Sequence, residues 1–133
     1  MTAQQAPARV LVVEDETDIR ELLEIVLMSR GYKVATAENG RVGLEVMARF
    51  APQLILLDLA MPELDGLGFL DAKRQVPDAR DIPVIVLSAR DKNTDGVTAV
   101  EMGASAFITK PFDTGVVLAK VGALLADARS TAE

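Results

Sequence analysis

Five polar side chains stand where apolar runs end. Glu14 and Asp15 follow Val10-Leu11-Val12-Val13, Asp58 follows Leu54-Ile55-Leu56-Leu57, Ser88 follows Val84-Ile85-Val86-Leu87, and Lys110 follows Ala106-Phe107-Ile108-Thr109. If the runs are strands of one parallel sheet, those ends share the edge where open α/β folds bind ligands. Each residue alone has an ordinary explanation. An acid after a strand often caps the next helix, Glu14-Asp15-Glu16 reads as an acidic helix start, Ser88 as a turn residue, Lys110 as a solvated surface lysine and Phe107 as packing. The joint case is different, because three converging carboxylates repel one another and Lys110 offsets only one charge. Such a set asks for a divalent cation, and oxygen ligands suit Mg²⁺. A cation, a lysine and a hydroxyl around one aspartate suit phosphoryl transfer, with the aspartate as nucleophile.

The elements that must position these groups are short apolar runs alternating with helical patterns, five times along the chain, which is the signature of βα units and a parallel sheet. Ile19, Leu22, Leu23, Val26 and Leu27 recur at helical spacing before Gly31, and Gly43, Val46, Met47 and Phe50 repeat the pattern before Pro52. Leu67 and Leu70 mark a third helix, Val97 and Val100 a fourth, and Val117, Val121 and Leu124 a fifth. The runs from Val10, Leu54 and Val84 are apolar at successive positions, as in strands covered on both faces. Lys33-Val34-Ala35-Thr36-Ala37 is mixed and the run ending at Thr109 is short, so these two suit the edges. Right-handed crossovers then favour a flavodoxin-like, doubly wound (βα)5 sheet in the order 2-1-3-4-5. Its switch point falls between the first and third strands, which carry Glu14, Asp15 and Asp58.

At 133 residues the chain fits a single domain over residues 9–128, with flexible tails at 1–8 and 129–133. A net charge of −6 argues against a direct nucleic-acid surface. The absence of cysteine and histidine removes disulfides, thiolate and imidazole chemistry and the usual zinc ligands. No apolar stretch approaches the ~20 residues that span a bilayer and no signal-peptide pattern opens the chain, so neither a membrane contact nor any location but the cytoplasm is expected.

Taken in order, Val12-Val13-Glu14-Asp15, Leu56-Leu57-Asp58-Leu59-Ala60-Met61-Pro62 with Asp65-Gly66, Leu87-Ser88-Ala89, Gly103-Ala104 and Phe107-Ile108-Thr109-Lys110-Pro111-Phe112 resemble the receiver domains of two-component response regulators, over about residues 8 to 128. The resemblance implies a signalling phosphoacceptor that catalyses only its own phosphoryl transfer and dephosphorylation. Asp58 would accept phosphate from a phosphohistidine on a sensor kinase or phosphotransfer protein, or from a small phosphodonor. Asp15 and Asp58 would ligate Mg²⁺ directly, Ala60 through its carbonyl and Glu14 through water. Lys110 would pair with the acceptor carboxylate and then a phosphoryl oxygen, across a cis bond to Pro111. Ser88 would bond the phosphoryl group and move toward it, letting Phe107 rotate inward and changing a protein-binding surface around Val97, Glu101, Phe107 and Val117. Ala60 and Arg90 would tune the lifetime of the phosphate.

Two features depart from that pattern. Phe107 lacks the hydroxyl a tyrosine would bring to the same position, and Ser105-Ala106 replaces the acidic pair often found in receivers that dimerise before binding DNA. The chain either acts alone through a downstream protein or is the receiver part of a longer one. A haloacid-dehalogenase-type phosphatase would need a second aspartate at the position held by Ala60. A flavodoxin-like electron carrier would want a hydroxyl-rich phosphate loop where Glu14-Asp15-Glu16 stands.

Overall fold

The computed structural model describes residues 7–59, 66–88 and 103–132, with side chains in the last helix described as far as Ala126. In chain order the elements are β1 (Arg9–Val13), α1 (Thr17–Ser29), β2 (Lys33–Ala37), α2 (Gly40–Phe50), β3 (Leu54–Asp58), α3 (Gly66–Arg74), β4 (Val84–Ser88), β5 (Ala106–Thr109) and α4 (Thr114–Ala132). The helical pattern at Val97 and Val100 lies outside the described residues, and α4 carries the fifth pattern. All five strands run parallel in the order β2-β1-β3-β4-β5. This is the flavodoxin-like arrangement with the switch point between β1 and β3.

Alternation along the strands divides the core into two layers. Leu11 and Val13, Ile55 and Leu57, and Val84 and Val86 point to one face and pack with Val46 and Met47 of α2 and Phe69 and Leu70 of α3. Val10 and Val12, Leu54 and Leu56, and Ile85 and Leu87 point to the other, against Leu23 and Leu27 of α1 and Val117, Val121 and Leu125 of α4. Every residue of β3 and β4 is buried, whereas β2 and β5 are mostly half-exposed edges. Truncating a side chain such as Leu56 to alanine removes packing worth roughly 2–5 kcal/mol.

The helices depart from the simplest reading of the sequence in two places. Leu22 belongs to the periodic set of α1 but is 43 % exposed, and with Ile25 and Met28 it forms a second apolar stripe facing solvent. The apolar residues of α1 span more of the helix than one sheet face can cover, so only Leu23 and Leu27 are fully buried. The backbone of α4 stays helical to Ala132, past the boundary expected at 128. Ala126, Ala128 and Arg129 are good helix formers and nothing breaks the helix there.

Local chemistry fixes the ends of the elements. Asn39 caps α2 by accepting from the Val42 N–H at 2.9 Å. Gly31, after α1, takes φ +88, a left-handed conformation that glycine adopts without strain. Gly66 opens α3 for a different reason. A Cβ there would lie 2.6 Å from both the Asp58 carbonyl oxygen and Leu59 Cα. The Gly66 N–H donates to the Leu59 carbonyl at 2.9 Å, tying the start of α3 to the strand end that carries Asp58.

Candidate functional site

The strand register brings the polar ends together. Val13 pairs with Leu57, Asp58 with Leu87, and Ser88 with Thr109, so β1, β3, β4 and β5 run out at nearly the same level. The Glu14 N–H continues the ladder to the Ala37 carbonyl at 3.0 Å, and the Lys110 N–H donates to the Ser88 carbonyl at 2.8 Å. Glu14, Asp58 and Lys110 follow the alternation of Val12, Leu56 and Ile108, residues of the α1/α4 layer. Ser88 follows Val86 into the opposite layer, and Phe107, which pairs with Val86, packs half-buried against that same layer.

Glu14 is fully buried, Asp58 and Ser88 nearly so, and Asp15 is half-exposed. One carboxylate oxygen from each of Glu14, Asp15 and Asp58 lies within 4.8 Å of the others. Lys110, with its side chain 10 % exposed, is not a solvated surface lysine. Its Nζ is 3.0 Å from Glu14 Oε1, 3.4 Å from Asp58 Oδ2 and 3.6 Å from Glu16 Oε1. The shortest of these contacts, to the fully buried Glu14, is an ion pair of hydrogen-bond length. The Lys110–Pro111 bond is cis. Ala60 lies outside the described residues, as does Arg90.

The electrostatics follow from this crowding. Burial pushes the Asp58 carboxyl up to about 7, and Glu14 adds to the rise through its charge and a close contact, while Lys110 opposes it. Burial works against the Lys110 ammonium, but its contacts with Glu14, Asp58 and Glu16 outweigh that cost and hold its pKa above the ordinary lysine value. The carboxylates of Glu14, Asp58 and Glu16 share the one ammonium of Lys110, so the cluster of Glu14, Asp15 and Asp58 gathers more negative charge than that ammonium offsets. The all-oxygen donor set fits a hard divalent cation such as Mg²⁺.

Two contributors escaped the reading of the sequence. Arg20, one turn into α1, donates from Nη1 to the Glu14 carbonyl at 2.9 Å and to the Asp15 carbonyl at 3.4 Å, pinning the loop that presents both acids. Its spacing, five residues after Asp15, was a signal only if the loop was known to fold back over the first turn. Gly66 belongs to a sequence motif, but its close approach to the Asp58 carbonyl is a matter of backbone geometry that the motif does not disclose.

A receiver-type fold with this acid–lysine constellation is matched by comparison with known proteins. The response regulator receiver domain family matches residues 10–122, and the chain belongs to that family. The response regulator MprA of Mycolicibacterium vanbaalenii is 40 % identical over 119 residues, covering 90 % of this chain and 51 % of its own length. The chain thus spans about half the length of such curated relatives. Among solved structures, the signal receiver domain of a histidine kinase from Syntrophus aciditrophicus superposes with a TM-score of 0.83 at 36 % identity, covering 90 % of this chain and 91 % of that one. Chemotaxis protein CheY4 of Vibrio cholerae gives 0.85 at 28 % identity, covering 90 % and 99 %. The chain is therefore a receiver domain of two-component signalling. Among the described residues, no helix is long and apolar enough to cross a membrane.

Proposed function

We propose that Asp58 is the phosphoacceptor of a Mg²⁺-dependent signalling switch, charged by a phosphohistidine on a sensor kinase or phosphotransfer protein. The observation that carries this reading is a nearly buried Asp58 carboxylate at the end of the central strand, grouped with Glu14 and Asp15 and 3.4 Å from Lys110. Asp15 and Asp58 would hold the cation directly and Glu14 through water, with the Ala60 carbonyl completing the set. When bound, the cation neutralises charge that builds on the phosphoryl oxygens. Asp58 supplies the attacking oxygen, Lys110 holds a phosphoryl oxygen, and Ser88 donates its hydroxyl to another. The exposed Leu22, Ile25 and Met28 on α1 offer a phosphodonor protein an apolar face on the helix that follows Asp15.

Output is proposed to run through Ser88 and Phe107, which share one layer of the sheet two residues apart in register. A phosphoryl group that draws the Ser88 hydroxyl inward frees space for the Phe107 ring, and the surface near Phe107 changes; Val117, expected on that surface, is instead fully buried in the α1/α4 layer on the other side of the sheet. Val97 and Glu101, expected on the same surface, lie outside the described residues. The test is incubation of the purified chain with acetyl phosphate, with Mg²⁺ or with EDTA. Mg²⁺-dependent uptake that is absent from Asp58→Asn is the expected result, and equal uptake by that variant would overturn the reading.

A further inference from the structure

Glu16 occupies the N-cap of α1, with φ −80 and ψ 116. The short side chains of Ser, Thr, Asp or Asn at that position fold back onto the first free N–H groups of the helix, whereas a glutamate is free to reach elsewhere. Glu16 makes no such cap; its Oε1 lies 3.6 Å from Lys110 Nζ instead. Its own N–H donates to Glu14 Oε2 at 3.2 Å, fixing the backbone beside the buried pair. The Glu16 side chain is 61 % exposed while those of Glu14 and Asp58 are buried. Of the three acids paired with Lys110 among the described residues, Glu16 alone is solvent-facing.

Resting on the reading of Asp58 as phosphoacceptor, we infer that Glu16 is a specificity-determining residue for the phosphodonor. It holds the solvent side of Lys110 and keeps a negative charge at the mouth of the site, disfavouring free dianionic phosphodonors relative to a phosphohistidine presented by a protein. A small acyl phosphate arrives by diffusion with two negative charges and must displace Glu16 from Lys110, so like-charge repulsion slows its productive encounters. A phosphohistidine arrives within a protein interface, whose contacts offset that repulsion and can cover Glu16. In either case an Asp58 carboxylate oxygen attacks phosphorus. The bond from phosphorus to the donor oxygen or nitrogen breaks, and acetate or the imidazole nitrogen leaves with the electron pair. Asp58 reacts as the carboxylate, so it has no proton to lose.

The experiment compares initial rates of phosphate uptake in wild type, Glu16→Gln and Glu16→Asp with acetyl phosphate and with the less charged phosphoramidate, at low and high salt, mapping the modified residue each time. Glu16→Gln is expected to react with acetyl phosphate roughly two- to fivefold faster at low salt, and to lose that gain as salt screens the charge. The gain is smaller with phosphoramidate, and Glu16→Asp stays close to wild type. A purely structural role for Glu16 would change the melting temperature without this dependence on salt and donor charge. Equal rates with Asp58 labelled in both proteins, or a gain that salt does not alter, would overturn the gate while leaving Asp58 in place. Phosphate absent from Asp58 in every variant would overturn the acceptor assignment and the gate together.

Discussion

Asp58 carries the sharpest consequence of crowding three acids around one lysine. Its carboxyl is raised from 3.8 to about 7, so between those values the folded chain keeps a proton that the unfolded chain has released. Stability from this group is present at low pH and is lost as pH rises toward 7, at a cost of at most about 4 kcal/mol without a cation. Asp58→Asn removes the charge and is expected to raise the melting temperature at pH 8 in EDTA by about 5–10 °C, with little gain near pH 4. Added Mg²⁺ should narrow the gap by stabilising the wild type. Thermal melts across that pH range, with and without Mg²⁺, check the sign. Isothermal titration separates the acids: Asp15→Asn should lose Mg²⁺ binding, whereas Glu14→Gln, acting through water, should lose about tenfold. Glu14, Asp15, Asp58, Ser88 and Lys110 were legible because each ends an apolar run. The partners that hold them were less so. Arg20 carries no signal of its own in the sequence, and Glu16 reads as part of an acidic helix start, whereas the β1–α1 loop brings both to the site.

At the scale of elements, the joints between strand ends and helices decide whether the site is formed. Gly66→Ala would force a Cβ to 2.6 Å from the Asp58 carbonyl oxygen, so the strand end or α3 must shift. We expect a loss of roughly 1–3 kcal/mol, and slower phosphate uptake because the displaced backbone carries the acceptor. Gly31→Ala is the control: nothing lies within 4 Å of its added Cβ, and only the positive φ penalises it. That variant should lose about 1 kcal/mol and keep its rate of phosphate uptake. Urea melts with initial-rate assays on both variants separate the two causes. Strand existence and order were legible because β1, β3 and β4 are apolar at successive positions while β2 is mixed. Helix faces were less so, since the apolar residues of α1 form two stripes and spacing alone does not say which one meets the sheet.

For the molecule as a whole, the two core layers suggest how a local event is reported. Glu14, Asp58 and Lys110 follow the alternation of the α1/α4 layer, and Ser88 with Phe107 that of the α2/α3 layer. A phosphoryl group contacting both sets would couple them, by an amount no larger than its differential binding to the two arrangements, typically about 1–3 kcal/mol. With a beryllofluoride mimic, NMR shifts should therefore extend from Asp15 and Ser88 to the Phe107 ring. Shifts confined to the loops, with Phe107 silent, would contradict this route. Lys110→Ala should weaken that response more than it lowers the melting temperature, since its ammonium contacts the site acids rather than either core layer.

The central claim is that Asp58 forms an acyl phosphate, and chemical trapping tests it most directly. Borohydride reduces an aspartyl phosphate to homoserine, leaving a permanent mark at the acceptor. After exposure to acetyl phosphate and Mg²⁺ followed by borohydride, peptide mass spectrometry should find homoserine at position 58 and nowhere else. Homoserine at Asp15, or phosphate uptake with position 58 unmodified, would contradict it.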